Sequence, residues 1–238
     1  MTQVAQIHNL DMVRVAVERL INRQDSLPGF AVLYGPAGYG KSTALLAVAN
    51  ETRAYYVQMR SAWGRKALLE KILFEMGLKP FGTITNMLDQ VCAQLGASGR
   101  PLMIDEFDFA VRSDGMVELI RDIYEGSQAT VILSGEEMLP QKLKRWERFH
   151  SRVLSWLPAQ PVSVADAGAL VPIYAPGIKI ADDMIEHLVH LASGSVRRVV
   201  VNLSGIHEAA ATAGWSKVDR AVWGDRILYT GEAPRRAA

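Results

Sequence analysis

Two short stretches carry the residue types that chemistry on phosphates requires. The first, GPAGYGKST at residues 35–43, sets Gly35, Gly40, Lys41 and Ser42 at the spacing G-x-x-x-x-G-K-[ST]. A glycine-rich turn leaving a strand for a helix exposes backbone N–H groups at the positive end of the helix dipole, where an anion is favoured. In this pattern the lysine reaches the outer phosphates and the hydroxyl ligates magnesium. The second stretch, PLMIDEFD at residues 101–108, ends an apolar run on Asp105 and Glu106. Ligands of open parallel sheets gather at the C-terminal ends of the strands. Asp105 is therefore expected to hold the metal and Glu106 to polarise an attacking water, while Asp108 reads as a helix-entry or surface residue.

Further along, ATVILSG (129–135) ends near Ser134, a small polar group at a strand end, placed to hydrogen-bond a phosphate or the water. A basic run, KLKRWERFHSRV, then brings Lys142, Lys144, Arg145, Arg148 and Arg152. Arg152 stands just before the fifth strand, at the sheet edge, and is preferred over Arg145 and Arg148 as a group reaching a neighbouring subunit's γ-phosphate. An arginine supplied in trans is worth about 10³ to 10⁵ in rate. In SGSVRRVVVNL, Arg197 and Arg198 open an apolar helix, from which one of them is expected to fold back onto the nucleotide.

These groups need a scaffold, and the hydrophobic pattern describes one. A leading helix (7–23) ends in the turn-forming QDSLPG. Strand-like runs at 30–34, 54–59, 101–107, 129–135 and 153–157 alternate with helical ones at 43–51, 66–76, 84–95, 114–125 and 136–149. Such alternation implies a mainly parallel five-stranded sheet between helices. After residue 165 the pattern becomes helical, with DDMIEHLVHLASG and SVRRVVVNLSGIHEAAATAG joined to the core through VPIYAPGI. The expected domains are an α/β nucleotide-binding core (1–165), a small α-helical lid (166–230) and an unstructured tail (231–238).

Composition excludes several classes. With 49% hydrophobic residues the chain can bury a substantial core, and a formal net charge of +1 offers no global attraction to nucleic acid. The single Cys92 sits at an apolar helical position and reads as a small core residue, so there is no disulfide framework and a reducing interior is expected. His187 and His190 share a helix face, but a structural zinc site takes four ligands and no Cys or third histidine lies nearby in sequence. No apolar run reaches the length of a membrane span, and the N-terminus has no basic start followed by an apolar block.

With these elements in this order, the chain resembles the AAA+ ATPases. GPAGYGKST corresponds to Walker A, carried by Gly35, Pro36, Ala37, Gly38, Tyr39, Gly40, Lys41, Ser42 and Thr43. LMIDE corresponds to Walker B, Ser134 to sensor 1, Arg152 to the arginine finger and Arg197 in GSVRR to sensor 2. The resemblance implies ATP and Mg2+ as ligands and a P-loop core followed by a helical lid. Within that superfamily, GYGKST, DEFD and RWERFHSRV look most like the transposition ATPases of the phage Mu B and TnsC group. That likeness implies an ATP-dependent helical filament on double-stranded DNA that selects a target and recruits or stimulates a transposase, in a bacterial or phage-infected cytoplasm. Two departures stand out. The short stretch ahead of Gly35 leaves no room for the helix-turn-helix domain that Mu B carries, so DNA contact is expected from the ATPase core. Serine at sensor 1, where the superfamily often has asparagine, predicts slow hydrolysis.

In proteins of that group the loops after the second strand line the inside of the oligomer. Here QMRSAWGRKALLEK and GLKPFGTIT offer Arg60, Arg65, Lys66 and Lys79 for phosphate contacts and Thr83 or Thr85 for a hydroxyl or backbone contact. Such contacts carry no sequence information. Lys66 and Lys71 also fit a solvated helix face, and Thr83 a helix cap. Three other readings use the same phosphate loop: a helicase loader or insertion-sequence helper similar to DnaC or IstB, a small-molecule kinase, and a nucleotide-switched binding module with negligible turnover.

Overall fold

The computed structural model describes residues 4–232. From residue 233 on, the tail expected to be unstructured lies outside the described residues. Two compact units are present. One comprises Leu10–Pro36 and Lys41–Ala159; the other comprises the chain up to Asn9, the loop Ala37–Gly40, and the chain from Gln160 on.

The first unit is built on five strands: β1 (Phe30–Tyr34), β2 (Tyr55–Gln58), β3 (Leu102–Asp105), β4 (Val131–Gly135) and β5 (Val153–Pro158). All pairings are parallel, in the order β2-β3-β4-β1-β5. The inner strands FAVLY, LMID and VILSG are apolar on both sides and almost wholly buried, the pattern that a sheet covered by helices on both faces requires. The helices of this unit include α2 (Lys41–Thr52), α3 (Arg65–Glu75), α4 (Ile84–Ser98) and α5 (Asp114–Ser127), with α1 (His8–Ile21) running into it from Asn9. Leu68, Leu69, Ile72 and Leu73 of α3 and Met87, Val91 and Leu95 of α4 join the core with Ile120 and Ile123 of α5. A 3-10 helix (Phe107–Arg112) follows β3, and its Phe107 stacks on Phe149, which stacks in turn on Phe30.

One expected helix is corrected. Residues 136–149 form two short helices, α6 (Leu139–Leu143) and α7 (Glu147–His150). Between them the backbone at Trp146 leaves the helical region (φ −106°, ψ 80°). There the ring is buried and its indole N–H donates to Asp114 Oδ1 at 3.1 Å, while Phe149 is fully buried. Burial of two large rings and one indole hydrogen bond outweighs one turn of helix continuity.

The second unit holds α8 (Val164–Tyr174), α9 (Asp182–Ala192), α10 (Val196–Ala213) and α11 (Arg220–Trp223), with a two-stranded parallel sheet of β6 (Lys179–Ile180) and β7 (Lys217–Val218). Ser163 and Asp166 form a capping box at the start of α8, and Asp166 Oδ1 also accepts the backbone N–H of His8 at 2.7 Å. Leu170, Met184, Leu188, Val199, Leu203 and Ile206 are buried. Its main segment thus starts at Gln160, and it includes the apex of the glycine-rich loop. No helix of the described residues is long and apolar enough to cross a membrane.

Candidate active site

Strand register brings the chemistry-bearing residues to one level. Leu33 lies opposite Ser134, Tyr34 opposite Gly135, Ile104 opposite Leu133 and Gln58 opposite Asp105. The C-terminal ends of β1, β3 and β4 therefore finish together, with the glycine-rich loop leaving β1 at Gly35. Asp105 is 2% exposed; its Oδ1 accepts the backbone N–H of Glu106 at 2.9 Å and its Oδ2 accepts the Tyr56 hydroxyl at 3.0 Å. The sequence reading missed Tyr56, whose partner is 49 residues away. Burial, and then Asp105, holds its phenol well above the usual range.

Glu106 is half-buried and sits in the left-handed region (φ 56°, ψ 40°), a conformation that costs a non-glycine residue about 1 kcal/mol or more. Burial pushes its carboxyl pKa up, Asp105 adds to this, and Lys41 opposes it. The Lys41 ammonium donates to the carbonyls of Gly35 (2.8 Å) and Pro36 (2.9 Å). Burial lowers its pKa, against the pull of Asp105, Glu106, Asp108 and Glu136. Ser134 is fully buried and its Oγ has no hydrogen-bond partner among the described residues. Asp108, expected at a helix entry or at the surface, lies in the first turn of the 3-10 helix, but it is not at the surface: it is 7% exposed, accepting the Glu136 N–H at 2.5 Å and the Lys142 ammonium at 2.7 Å.

The loop apex is held within the second unit. Gly38 has φ 84° and its carbonyl accepts the backbone N–H of Arg197 at 3.1 Å; a Cβ there would meet the Ser195 hydroxyl. The Tyr39 hydroxyl packs against Gly194. Asn9, 3% exposed, donates from Nδ2 to Tyr39 O (2.9 Å) and Gln160 O (2.8 Å), and its Oδ1 accepts Gln160 N–H (2.8 Å). The Arg197 side chain is exposed, whereas Arg198 is half-buried and donates to Ala192 O at 3.4 Å.

These residues fit a magnesium nucleoside triphosphate. The first amides of α2, from Lys41, Ser42 and Thr43, have no partner inside the helix. Among the described residues Lys41 donates to two neutral carbonyls, which phosphate oxygens can replace. Ser42 and Asp105 supply the hard oxygen ligands that magnesium prefers, and the Ser134 hydroxyl is an unused buried donor at the same level of the sheet.

On the basic edge, Arg152 is ion-paired with Glu125 (2.7 Å) and donates to Ser151 Oγ. Arg145 pairs with Asp114 (2.5 Å) and lies over the Trp146 ring. Arg148 is exposed, with no ion pair among the described residues. Arg60, Arg65, Lys66, Lys79, Thr83 and Thr85 are all exposed along the β2–α3 and α3–α4 connections and the starts of these helices. Arg60 lies over Trp63, Lys66 is 3.7 Å from Glu70, and the Thr83 hydroxyl is engaged in a capping box with Asn86.

The sequence has no match among curated proteins. Solved structures share the fold at low identity. The Orc1 protein of Aeropyrum pernix in complex with DNA matches with a TM-score of 0.63 and 19% identity over 93% of this chain and 64% of its own. Cdc6p of Pyrobaculum aerophilum matches at 0.64 and 13%, over 91% and 65%, and the Thermotoga maritima RuvB Holliday junction branch migration motor at 0.61 and 18%, over 92% and 67%. The chain thus spans less than two thirds of the length of the Orc1 and Cdc6p structures. An AAA domain family model matches residues 23–143, more than half the chain and the stretch holding Lys41, Asp105, Glu106 and Ser134. The chain belongs to the AAA domain family, with the fold of an AAA+ P-loop ATPase core.

Proposed function

We propose that the chain is an ATP-dependent, largely sequence-nonspecific DNA-binding ATPase that assembles into helical filaments on duplex DNA, selects it as a target and recruits or stimulates a transposase. The hydrolytic part rests on one observation, the common level of the P-loop, Asp105 and Ser134 at the ends of β1, β3 and β4. Lys41 exchanges the Gly35 and Pro36 carbonyls for the outer phosphates, and the loop amides hold the rest of the phosphate chain. Ser42 and Asp105 are the residues that would hold Mg2+, which neutralises phosphate charge when bound. Glu106 accepts a hydrogen bond from the attacking water and orients it, and the Ser134 hydroxyl donates to that water or to the γ-phosphate. Arg152 of a neighbouring protomer completes the charge stabilisation, and Arg197 senses the nucleotide from α10.

DNA binding is supported by the exposed Arg60, Arg65, Lys66 and Lys79, and the fold is shared with an Orc1 protein solved in complex with DNA. The transposition role is supported by the likeness of GYGKST, DEFD and RWERFHSRV to the Mu B and TnsC group. Electron microscopy with long duplex DNA, Mg2+ and a non-hydrolysable ATP analogue tests the assembly, and Lys41→Ala should abolish it. A chain that remains monomeric under those conditions overturns the proposal. Capture of a replicative helicase in place of a transposase would favour the loader reading.

A further inference from the structure

The geometry points to Asp108 as a positioning residue whose buried carboxylate ties the segment carrying Glu106 to the end of β4 behind Ser134, with Lys142 as the counter-ion that keeps the tie shut. It rests on the proposed hydrolytic reading and adds to it a residue that touches neither nucleotide nor water. One carboxylate makes both connections: Oδ2 accepts the N–H of Glu136, the residue after Gly135, and Oδ1 accepts the Lys142 ammonium on α6. A Cβ at Gly135 would overlap Asp108 Oδ2, so the approach of the two segments depends on glycine at the strand end. The carboxylate is enclosed and the ammonium is not, at 9% and 40% side-chain exposure.

Glu106 and Ser134 must present themselves to one water; the pairing of β3 with β4 runs only to Ile104 and Leu133, and the Asp108 tie connects the two segments beyond it. Glu106 is in a left-handed conformation that relaxes if its surroundings loosen, and Ser134 Oγ has no partner among the described residues to fix it. Strained residues persist only where neighbouring structure over-determines them, and the Asp108 tie is such a constraint, running from two residues beyond Glu106 to two residues beyond Ser134. A charge-assisted hydrogen bond is stronger than a neutral one, so the Lys142 partner sets how firmly the tie holds. A small misplacement of catalytic groups lowers the rate steeply without changing what the phosphate loop binds.

Four variants test this: Asp108→Asn, Asp108→Ala, Lys142→Met and Lys142→Arg. Steady-state hydrolysis, fluorescent-ATP binding, Tm and hydrogen exchange at the Glu136 amide in nucleotide-free protein are measured for each. Asp108→Asn should lower kcat about tenfold or more with ATP affinity unchanged, and should speed exchange at Glu136 by a similar factor. Lys142→Met should do the same more weakly, and Lys142→Arg should restore most of the parental kcat. If Asp108→Asn or Asp108→Ala fails to fold, the Lys142 pair still decides the matter. A parent that turns over ATP while Asp108→Asn and Lys142→Met match it overturns the tie and leaves the hydrolytic reading standing. Loss of ATP affinity in step with kcat and Tm also overturns it, because the role would then be structural only. A parent without turnover overturns the hydrolytic reading itself, and with it the role assigned to Asp108.

Discussion

Glu106 carries two burdens that a residue chosen for stability would not: a left-handed backbone and a carboxyl that folding makes harder to ionise. The second gives a signed prediction for the nucleotide-free protein. Because the folded pKa lies above the unfolded one, the folded state holds the proton more tightly, so ionisation weakens folding. No penalty exists well below the ordinary glutamate pKa of about 4.3. It grows as pH rises through the interval up to the folded pKa and is constant beyond it. Glu106→Gln removes the penalty, so its Tm should match the parent's in acid and exceed it at neutral pH. The same variant should bind ATP and stay assembled on DNA while losing turnover, because the amide cannot activate water as the carboxylate does. A Tm difference independent of pH would show that Glu106 is not perturbed by its surroundings; an Asn variant offers a backbone check, since asparagine tolerates the left-handed region better than glutamate.

At the scale of elements, what was legible follows from whether partners are near in sequence. The phosphate loop was readable because glycines, lysine and hydroxyl lie within nine residues, and the five strands because inner parallel strands are apolar on both faces. Asp108 was legible as a helix-entry residue but its burial was not, because its partners lie 28 and 34 residues on, and Asn9 was missed because it joins Tyr39 and Gln160, 30 and 151 residues away. Nothing local marks either set of partners. The break at Trp146 was hidden because Leu139, Leu143 and Trp146 fit helical spacing, and only the buried rings reveal where the backbone turns. Asn9 predicts a measurable effect of its own. Asn9→Asp keeps the acceptor but loses both donors and sets a carboxylate against two carbonyls, which should cost about 2–4 kcal/mol and loosen the loop apex. Nucleotide titration should then show weaker ATP binding than in the parent; unchanged binding would mean that the apex needs no anchor. On the α3 face, Arg65→Ala with Lys66→Ala should flatten the salt dependence of DNA binding by roughly 0.9 in log-log slope per lost phosphate contact. The Lys66 to Glu70 pair is exposed and long, so it competes little with a phosphate. An unchanged slope would place DNA elsewhere.

For the whole molecule, the central matter is whether one chain contains a complete site. Arg152 is engaged by Glu125 of its own chain, yet both side chains are about two-fifths exposed, and an exposed pair of this kind contributes only about 0–1 kcal/mol. A γ-phosphate presented by a neighbour can therefore draw the guanidinium away. Hydrolysis should then rise faster than linearly with protein concentration, and Arg152→Ala should bind ATP normally but turn it over slowly. Mixing supplies the decisive measurement. Arg152→Ala keeps its phosphate loop and Glu106, and Glu106→Gln still binds ATP, assembles and keeps Arg152, so equal amounts of the two inactive proteins should recover about a quarter of the interfaces in a head-to-tail assembly. Recovery of activity on mixing requires that the arginine act across an interface, which no isolated chain can achieve. If Arg152→Ala is active by itself, the exposed Arg148 is the next group to test in the same mixture, since it lies on α7 along the same edge and has no ion pair among the described residues to break. Absence of recovery with either arginine, at concentrations where the parent assembles, would mean that each chain hydrolyses ATP unaided, and the nucleotide would then no longer be the joint between protomers.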